Sequence, residues 1–354
     1  MSRSRSRSRA WAELLRLPAL FTVPGDALSG AAAAGARPNS RTLLAIGSSL
    51  CLYEAGMALN DWADRAEDAA ERPHRPLPSG RVHPAAAFTA ACALTGAGLA
   101  LAARAGRPAL TVAAPLAATV WAYDLALKHT PCGPAAMATA RALDLVLGAA
   151  ATTGRTRGAL PSAALLGTHT LAVTVVSRQE TKGGSPLAPL AALTTTALLS
   201  RLLAHRPTGV PLDRPSDTGL GDADGEATVP SRRSVMSGSL PAIAEPAAAG
   251  RERPGPAHAR WITPLRSADS DWSPRRALTT ALAATYAATA ARPYFHATLN
   301  PSPPLTQRAV GGGIRATIPL QAALSARSGA GLTALLIAGL APLGRRFGRK
   351  VSVT

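Results

Sequence analysis

Apolar and polar segments alternate along most of the chain. Several stretches of Ala, Leu, Val, Thr and Gly run for about 17–20 residues without a charge, which is the length of a helix that crosses a bilayer. Before residue 205 this pattern predicts seven helices, at about 17–35, 41–59, 84–104, 108–124, 133–153, 160–177 and 187–204. We therefore expect an all-α protein, a multi-pass transmembrane bundle of helices.

The alternation stops at residue 205 and resumes at residue 276. Residues 205–275 are rich in Pro, Gly, Ser and Arg and show no apolar periodicity, which predicts a disordered insertion. Further apolar stretches at about 276–292, 309–326 and 329–344 bring the predicted bundle to nine or ten helices. The expected organisation is a basic disordered tail at 1–16, helices with polar motifs at 17–204, the insertion, C-terminal helices at 276–345 and a basic tail at 346–354.

The chain is strongly basic, with 38 Lys and Arg against 20 Asp and Glu among its 354 residues, a formal net charge of +18. Such a balance often indicates nucleic-acid binding. Here the basic residues stand at the ends of apolar segments rather than on one soluble face, so no nucleic-acid partner is expected. The alternating arginines of residues 1–9 would instead bind an anionic cytoplasmic leaflet, which makes membrane lipid the expected partner. Nothing in the sequence predicts a protein partner.

Acidic side chains are concentrated at the end of the second predicted helix. Asn60, Asp64 and Asp68 would stack on one helix face, and Asp61 joins them through its contact with Asp64. Carboxylates crowded in this way repel one another unless a hard divalent cation lies between them. The spacing therefore predicts a Mg²⁺ site.

Arginines follow these acids within a few residues. Pro73 and Pro76 would hold Arg72 and Arg75 in an extended segment. Carboxylates for Mg²⁺ beside arginines for phosphate are the groups needed to bind a diphosphate. The alternative is a solvated acidic helix end followed by a proline-rich turn.

A few charged residues lie inside the apolar segments. Glu54 should face a polar cavity, and Asp26 should either face the protein interior or water, or lie at a helix end in the membrane interface. Arg141 and Asp144 stand three residues apart on one helix face, so they would pair with one another or line a cavity. A structural ion pair between these two residues is the preferred interpretation.

Counting membrane crossings places the polar loops together. If the N-terminus is cytoplasmic, the loops at 60–83, 125–132 and 178–186 all return to the cytoplasmic side. We expect an integral protein of a bacterial cell membrane whose polar site faces the cytoplasm.

Three motifs resemble those of the UbiA superfamily of intramembrane prenyltransferases. The segment from Asn60 to Asp68 matches the family pattern NDxxDxxxD at every fixed position, and Arg-Pro-Leu-Pro-Ser-Gly follows at 75–80. A Tyr-to-Lys element similar to that of the family runs from Tyr123 to Lys128, with one extra residue between them. The resemblance implies the UbiA helical bundle and transfer of an isoprenoid chain from a prenyl diphosphate to a lipophilic acceptor, which is aromatic, a quinone precursor or lipid-like.

The second family motif differs here, because it is usually rich in aspartate and Glu180 is the only acid in the equivalent loop. Together with the stretch Ile318–Gln321, this loop looks like the divergent EboC-like branch of the family. Glu180 is then the candidate ligand for a second Mg²⁺, with diphosphate oxygens and water as the other ligands.

The resemblance also implies roles for individual residues. The candidate metal ligands are Asn60, Asp61, Asp64, Asp68 and Glu180. The candidate substrate-binding residues are Arg72, Arg75, Lys128, Arg141, Arg178 and Lys182. The candidate catalytic residues are Asp61, Asp64, Asp68, Lys128 and Tyr123, with Tyr123 facing the allylic cation or orienting Lys128.

Two other classes of membrane protein are compatible with the apolar pattern. A non-catalytic protein that binds or transports a polyprenyl lipid would keep the apolar groove and the basic residues but would need no metal. A transporter of ten helices would show internal repeats, and the motif at 60–81 has no counterpart in the second half of the chain.

Overall fold

The computed structural model describes residues 2–179, 184–205 and 274–351. The regular elements of these residues are all helical, which confirms the predicted fold class. The α-helices are α1 Ser2–Leu14, α2 Pro24–Ala33, α3 Ser40–Ala63, α4 Arg65–Glu71, α5 Pro84–Ala105, α6 Arg107–Ala122, α7 Gly133–Thr153, α8 Leu160–Ser177, α9 Leu187–Ala204, α10 Pro274–Leu299, α11 Pro303–Arg327 and α12 Gly331–Val351. They belong to one compact unit formed by residues 1–207 and 272–354, whereas the second unit, 208–271, lies outside the described residues.

Six helical segments of the described chain are long and apolar enough to cross a membrane. They are Ser40–Ala63, Pro84–Ala105, Arg107–Leu127, Gly133–Thr153, Arg157–Ser177 and Leu187–Ala204. The predicted bounds of the helices at 133–153 and 187–204 agree with the structure, because each is a predominantly apolar run that is visible in the sequence itself. The total of nine or ten membrane helices stays a prediction.

The helix α1 replaces most of the disordered tail predicted at 1–16. Ala10 and Leu14 are fully buried in one apolar cluster with Leu59 of α3 and Ala87 of α5. Burial of this apolar stripe stabilises a helix that the alternating Ser and Arg of residues 2–9 would not form alone.

The helix α10 is longer than the pattern predicts, because it continues through Pro293 to Leu299 where a loop was expected. A proline inside a helix removes one backbone hydrogen bond. Tyr294 and Ala297 follow it, and both are buried in the core cluster of the C-terminal helices. Their burial compensates for the lost hydrogen bond, so the helix persists.

The first apolar segment is divided into two helices. A 3₁₀ helix covers Leu17–Thr22, and α2 begins at Pro24, whose fixed backbone angle suits the first turn of a helix. The helix α2 lies close against α7, because a Cβ atom at either Gly30 or Gly148 would overlap the backbone of the facing helix. This close approach of small residues is typical of membrane helices, and it brings the side chains of α2 within reach of α7.

The helix α11 lies at the centre of the C-terminal half and packs on α2, α8, α10 and α12. Its residues Ala316–Ala326 are buried without interruption. Two polar groups of α2 and α11 meet in this contact, since Ser29 Oγ donates to the Gln321 carbonyl at 2.9 Å. The C-terminal helices therefore complete the packing of α2 rather than forming a separate domain.

Helices α3 and α7 run antiparallel beside α6. Two contacts show this antiparallel direction. The hydroxyls of Thr42 and Thr152 lie 2.7 Å apart near one end of the helices, and Ser49 donates a hydrogen bond to Asp144 further along. The space between α3, α6 and α7 contains the candidate site.

Candidate active site

Three polar loops meet at one end of the bundle, as the count of membrane crossings predicted. Lys128, after α6, forms an ion pair with Asp64, after α3. Arg178, after α8, donates a hydrogen bond to the carbonyl of Thr130. Two other predicted residues of the third loop, Glu180 and Lys182, lie outside the described residues.

The acidic motif does not lie on one continuous helix, which corrects the expected stacking of Asn60, Asp64 and Asp68. The helix α3 ends at Ala63, and Asp64 (φ −85°, ψ 4°) separates it from α4. The Asp64 N–H donates to the Asn60 carbonyl at 2.9 Å, and the Asp68 N–H donates to the Asp64 carbonyl at 2.8 Å. These bonds keep the acids near one another although the helix axis changes at Asp64.

Arginines neutralise two of the four motif residues. Arg75 Nη1 lies 2.7 Å from Asp68 Oδ2 and 3.8 Å from Asp61 Oδ1, and Arg72 Nη1 lies 3.5 Å from Asp68 Oδ1. Both carboxylates are buried, with exposed fractions of 5% for Asp61 and 3% for Asp68. Because a buried carboxylate is costly without a counter-charge, Arg75 contributes to the stability of this end of the bundle.

The structure places a different trio of possible metal ligands closest together. Among the described residues, ligand atoms of Asp64, Glu67 and His129 lie within 4.8 Å of one another. Glu67 and His129 are exposed, and Asp64 is half-buried. Asp64 is the one residue shared by this trio and the predicted set Asn60, Asp61, Asp64 and Asp68, whose roles as metal ligands stay predictions.

Arg16 is a site residue that the sequence motifs did not indicate. It lies between α1 and the 3₁₀ helix, and its Nη2 is 3.2 Å from Asp61 Oδ1, forty-five residues away in the chain. Arg16 has a φ of 48°, the only positive φ of a non-glycine residue in the described chain. A contact of this sequence separation leaves no local signal, so only the packing of α1 on α3 reveals it.

Asp124 was also missed, although it stands inside the predicted Tyr-to-Lys element. The Asn60 Nδ2 donates to Asp124 Oδ1 at 3.0 Å, and Asp124 is 4% exposed. Residues Tyr123–Leu127 form a π-helical turn, closed by the bond from the Lys128 N–H to the Tyr123 carbonyl at 2.9 Å. Such a turn accommodates one extra residue within a helix, which explains how Lys128 reaches Asp64 despite the longer spacing from Tyr123.

Deletion of Ala126 is expected to be tolerated. The shortened turn would become α-helical, so Lys128 would keep its direction toward Asp64, and both the thermal stability and any Mg²⁺-dependent turnover should stay within about threefold of the parent protein. Deletion of Ala172, in the regular α-helix α8, is the matched control, because no π turn follows it there and the deletion rotates the rest of that helix by about 100°. Equal losses in both variants, measured as unfolding temperature and turnover, would contradict this role of the π turn.

The loop between α4 and α5 is attached to α1 by Arg81. Its guanidinium donates to Glu13 Oε2 at 2.8 Å and to Glu13 Oε1 at 3.2 Å, and also to the His74 carbonyl at 2.6 Å. The hydrogen bond to Glu13 raises the pKa of Arg81. Both side chains are partly exposed, so the pair fixes the position of the loop more than it adds stability.

A cavity of about 390 Å³ opens beside the acidic motif. Its polar mouth is lined by Arg16, Asn60, Asp64, Arg72, Arg75, Tyr123 and Asp124. Its middle is mostly apolar, with Leu52, Met57, Leu116, Val120 and Met137 in the walls. Its far end is polar again, where Ser49, Arg141 and Asp144 line the cavity. The cavity thus has an apolar middle between two polar ends.

The contacts at the far end show that the ion pair expected between Arg141 and Asp144 is wrong. Arg141 Nε instead lies 3.0 Å from Asp26 Oδ2, and its Nη2 donates to the Thr22 carbonyl at 3.1 Å. Asp26 is fully buried, which agrees with the interior position and not with the interfacial one. The close packing of α2 on α7 brings Asp26 to Arg141, whereas Asp144 accepts a hydrogen bond from Ser49.

Glu54 does not face this cavity, although a polar cavity was expected around it. Glu54 belongs to α3 and its side chain is buried. Neither of its carboxylate oxygens has a hydrogen-bond partner in the described part of the chain. Arg178 is likewise absent from the residues that line the cavity, although its loop contacts Thr130 near the mouth.

Known proteins resemble this chain in both sequence and fold. A digeranylgeranylglyceryl phosphate synthase of Methanopyrus kandleri is 36% identical over 130 residues, which is 35% of this chain and 45% of that protein. The chain spans less than half the length of the curated relatives it matches. The apo structure of a UbiA homologue from Aeropyrum pernix K1 superposes with a TM-score of 0.54 at 14% identity, over 86% of this chain and 96% of that one.

A solved structure of digeranylgeranylglyceryl phosphate synthase superposes with a TM-score of 0.53 at 14% identity and covers 93% of this chain and 99% of that one. At such identities the two structural matches establish the fold alone. The sequence profile of the UbiA prenyltransferase family matches residues 20–204, slightly more than half of the chain. The resemblance to this family is thereby confirmed, whereas the EboC-like branch stays a prediction. With its six membrane-length helices, this chain is an integral membrane protein of the UbiA prenyltransferase family.

Proposed function

We propose that the protein is a Mg²⁺-dependent prenyltransferase that moves an isoprenoid chain from a prenyl diphosphate to a lipophilic acceptor. The observation that supports this activity is the composition of one cavity mouth. Carboxylates and cationic side chains meet there and continue into an apolar passage. A diphosphate head with an isoprenoid tail has the same division into a charged and an apolar part. The names of the relatives point to a lipid-like acceptor for those proteins, and aromatic, quinone-precursor and lipid-like acceptors are all compatible with this cavity.

The side chains at the mouth fit a hard cation. Carboxylate and amide oxygens are the groups that Mg²⁺ prefers. The nitrogen of the Asn60 amide is engaged with Asp124, so its oxygen is the atom left for a metal. Asp61, Asp64 and Asp68 would supply the remaining protein ligands, and Glu180 is the candidate for a second ion. When bound, Mg²⁺ supplies positive charge that stabilises the departing diphosphate.

The cationic side chains would hold the diphosphate. Arg16, Arg72, Arg75 and Lys128 all form ion pairs with acids of the motif. Each guanidinium or ammonium group therefore has at least one contact that it could exchange for a diphosphate oxygen once the acids bind Mg²⁺. Because these cations are aimed at the leaving group, they stabilise the charge that develops as the allylic C–O bond breaks.

The middle of the cavity would protect the allylic cation from water. Leu116, Val120 and Met137 carry no hydroxyl, amine or carboxylate group, and their apolar side chains would disfavour water in the passage. Tyr123 lines the cavity with the other mouth residues, and the face of its ring would stabilise a nearby positive charge. In the other candidate role of Tyr123, its hydroxyl would orient Lys128.

The direct test measures release of diphosphate and formation of a labelled lipid product. Because we also propose that the mouth faces the cytoplasm, inverted membrane vesicles are the preparation in which added Mg²⁺ and labelled prenyl diphosphate reach it. We expect turnover with Mg²⁺ and a loss of at least about 100-fold after chelation, restored when Mg²⁺ is added back. Sealed right-side-out vesicles should turn over only after permeabilisation.

A metal-independent result would contradict this function. If the vesicles bind a labelled polyprenyl lipid equally with Mg²⁺ and with chelator and release no diphosphate, the protein is a lipid-binding or transport protein instead. Vesicles from cells that lack the protein provide the background for both measurements.

A further inference from the structure

A second cavity, of about 220 Å³, lies apart from the candidate active site. It is a groove between the 3₁₀ helix Leu17–Thr22 and the helices α10, α11 and α12. Its walls are mostly apolar, with Leu282, Ile318 and Ala338 among them, and Arg315 is the one charged residue among the described residues that line it. The described residues that line this groove and those that line the active-site cavity do not overlap. The proposed prenyl transfer therefore leaves the groove without a role.

The surface around the groove is of the kind that lipid covers. The helix α11 packs on α8, which belongs to a segment of membrane length, so the two helices share the bilayer. Large apolar side chains are exposed there, among them Ile314, which lines the groove, and Leu335, one turn before Ala338. Exposed apolar surface on an integral membrane protein contacts the lipid tails. Bilayer lipid is therefore the molecule that lies beside the groove.

Arg315 is a cation without a counter-charge in the described part of the chain. Its side chain is exposed, and it forms no ion pair or hydrogen bond with another residue that the structure describes. The three helices around it cannot supply an acid, because residues 274–351 contain nine Arg and one Lys but no Asp or Glu. The 3₁₀ helix contains no acid either. Because a guanidinium in an apolar surrounding is costly without a counter-charge, the groove favours an anionic ligand.

The guanidinium of Arg315 points toward the end of the bundle where the polar loops meet. A Cβ atom at Gly311 would lie 3.2 Å from Arg315 Nη1, so the side chain runs back along α11 by about one turn. The loop before α11 lies at the polar end, since the Gly184 N–H of the third polar loop donates to the Pro301 carbonyl at 3.3 Å. Arg308 is exposed on the same helix face and precedes the apolar part of α11. The Arg315 guanidinium is then about 5 Å further along the helix, a depth that suits the boundary between lipid headgroups and tails.

We propose that this groove binds an anionic phospholipid of the leaflet on the side of the polar loops. The lipid phosphate would accept hydrogen bonds from Arg315, because the planar fork of a guanidinium matches the oxygens of a phosphate group. One acyl chain would lie along Leu282, Ile318 and Ala338, and the other would stay in the bilayer. A lipid bound in this way contacts the 3₁₀ helix and three helices of the C-terminal half, so it stabilises their packing. The site does not depend on the proposed prenyl transfer.

Two phospholipids with the same acyl chains test the preference for a negative charge. Phosphatidylglycerol is anionic, whereas the choline group of phosphatidylcholine neutralises its phosphate. Each lipid is titrated into the full chain after purification in detergent and removal of bound lipid, and native mass spectrometry measures how many lipids each molecule holds. We expect the first phosphatidylglycerol to bind at least about tenfold more tightly than the first phosphatidylcholine. The unfolding temperature should also rise more with phosphatidylglycerol.

Arg315→Gln is the decisive variant, because it removes the guanidinium and leaves the apolar walls in place. It should lower the preference for phosphatidylglycerol by about tenfold. Arg104→Gln is the matched control, since it removes the same charge from an exposed arginine at the end of α5 that does not line the groove. Its lipid preference should equal that of the parent protein, which controls for the net charge of +18.

A third variant tests the apolar part of the groove. Ala338→Leu fills the space proposed for the acyl chain and leaves every charge in place. It should weaken the binding of the first lipid of either kind by at least about threefold. The unfolding temperature of each variant in lipid-free detergent shows whether the fold itself has changed.

Three results would overturn the inference. The first is equal binding of the two lipids by the parent protein. The second is a preference that Arg315→Gln leaves unchanged, or that Arg104→Gln lowers to the same extent, since net charge would then explain the binding. The third is a dimer in the mass spectra that Ala338→Leu disrupts, without a lipid preference, because a second copy of the chain would then cover the groove. Release of diphosphate tests the prenyl transfer separately from all of these.

Discussion

Replacing Asp64 by alanine is expected to lower Mg²⁺-dependent release of diphosphate by at least about 100-fold. Asp64 lies at the junction of α3 and α4, lines the mouth of the cavity and forms the ion pair with Lys128. It is also the residue shared by the predicted metal ligands and by the trio whose ligand atoms lie closest together. Its removal would therefore take away a proposed metal ligand and leave Lys128 without its carboxylate. The measurement is single-turnover release of diphosphate in inverted vesicles.

The matched control is Glu71→Ala, which removes an exposed acid from the end of the neighbouring helix α4. The rate at which this variant releases diphosphate should stay within about twofold of that of the parent protein, because an exposed acid at this position contributes little to stability or to the site. Both variants should be inserted in the membrane and purified in similar amounts, since Asp64 is only half-buried. Parental turnover by Asp64→Ala would refute its assignment as a metal ligand.

Replacing Arg141 by leucine is expected to destabilise the folded protein by about 3–5 kcal/mol. The pair that it forms with Asp26 is almost entirely shielded from solvent, with exposed side-chain fractions of 16% for Arg141 and 0% for Asp26. Removal of the guanidinium would leave a buried carboxylate that Gln321 alone cannot neutralise. The free energy of unfolding of the full chain in detergent, measured by denaturant titration, reports this loss.

The double variant Asp26→Leu with Arg141→Leu distinguishes an unpaired charge from lost packing. Replacing both members of a buried pair by apolar residues is often neutral, so the double variant should recover most of the lost free energy. A double variant no more stable than Arg141→Leu would show that the guanidinium acts through its packing. If Arg141→Leu alone is as stable as the parent protein, the ion pair contributes nothing to the free energy of unfolding.

The metal-binding interpretation of the acidic motif and the arginine contacts seen in the structure are compatible. In the structure Arg75 lies between Asp61 and Asp68 and neutralises both. A cation that binds to these carboxylates would replace the arginine, and the arginine would then be available to the diphosphate that accompanies the metal. The motif therefore carries its own counter-charges, which the spacing of the acids alone did not indicate.

The sequence by itself determined the features that depend on neighbouring residues. Predominantly apolar runs of membrane length located α7 and α9 to the residue, and the pattern from Asn60 to Asp68 indicated the family. The three polar loops could also be placed at one end, because helices that cross a membrane alternate in direction. Local composition is sufficient for these conclusions, since a helix that crosses a membrane is recognised by its length and by its predominantly apolar composition.

The tertiary structure alone decided which charges meet. Arg16 reaches Asp61, Arg141 pairs with Asp26 rather than with Asp144 on its own helix, and Gln321 reaches Asp26 from the far end of the chain. It also decided where helices break and extend, at Asp64 and beyond Pro293. The physical reason is that a buried charge takes the partner that packing brings within a few ångströms. That packing depends on small-residue contacts such as Gly30 against α7, and no local pattern records them.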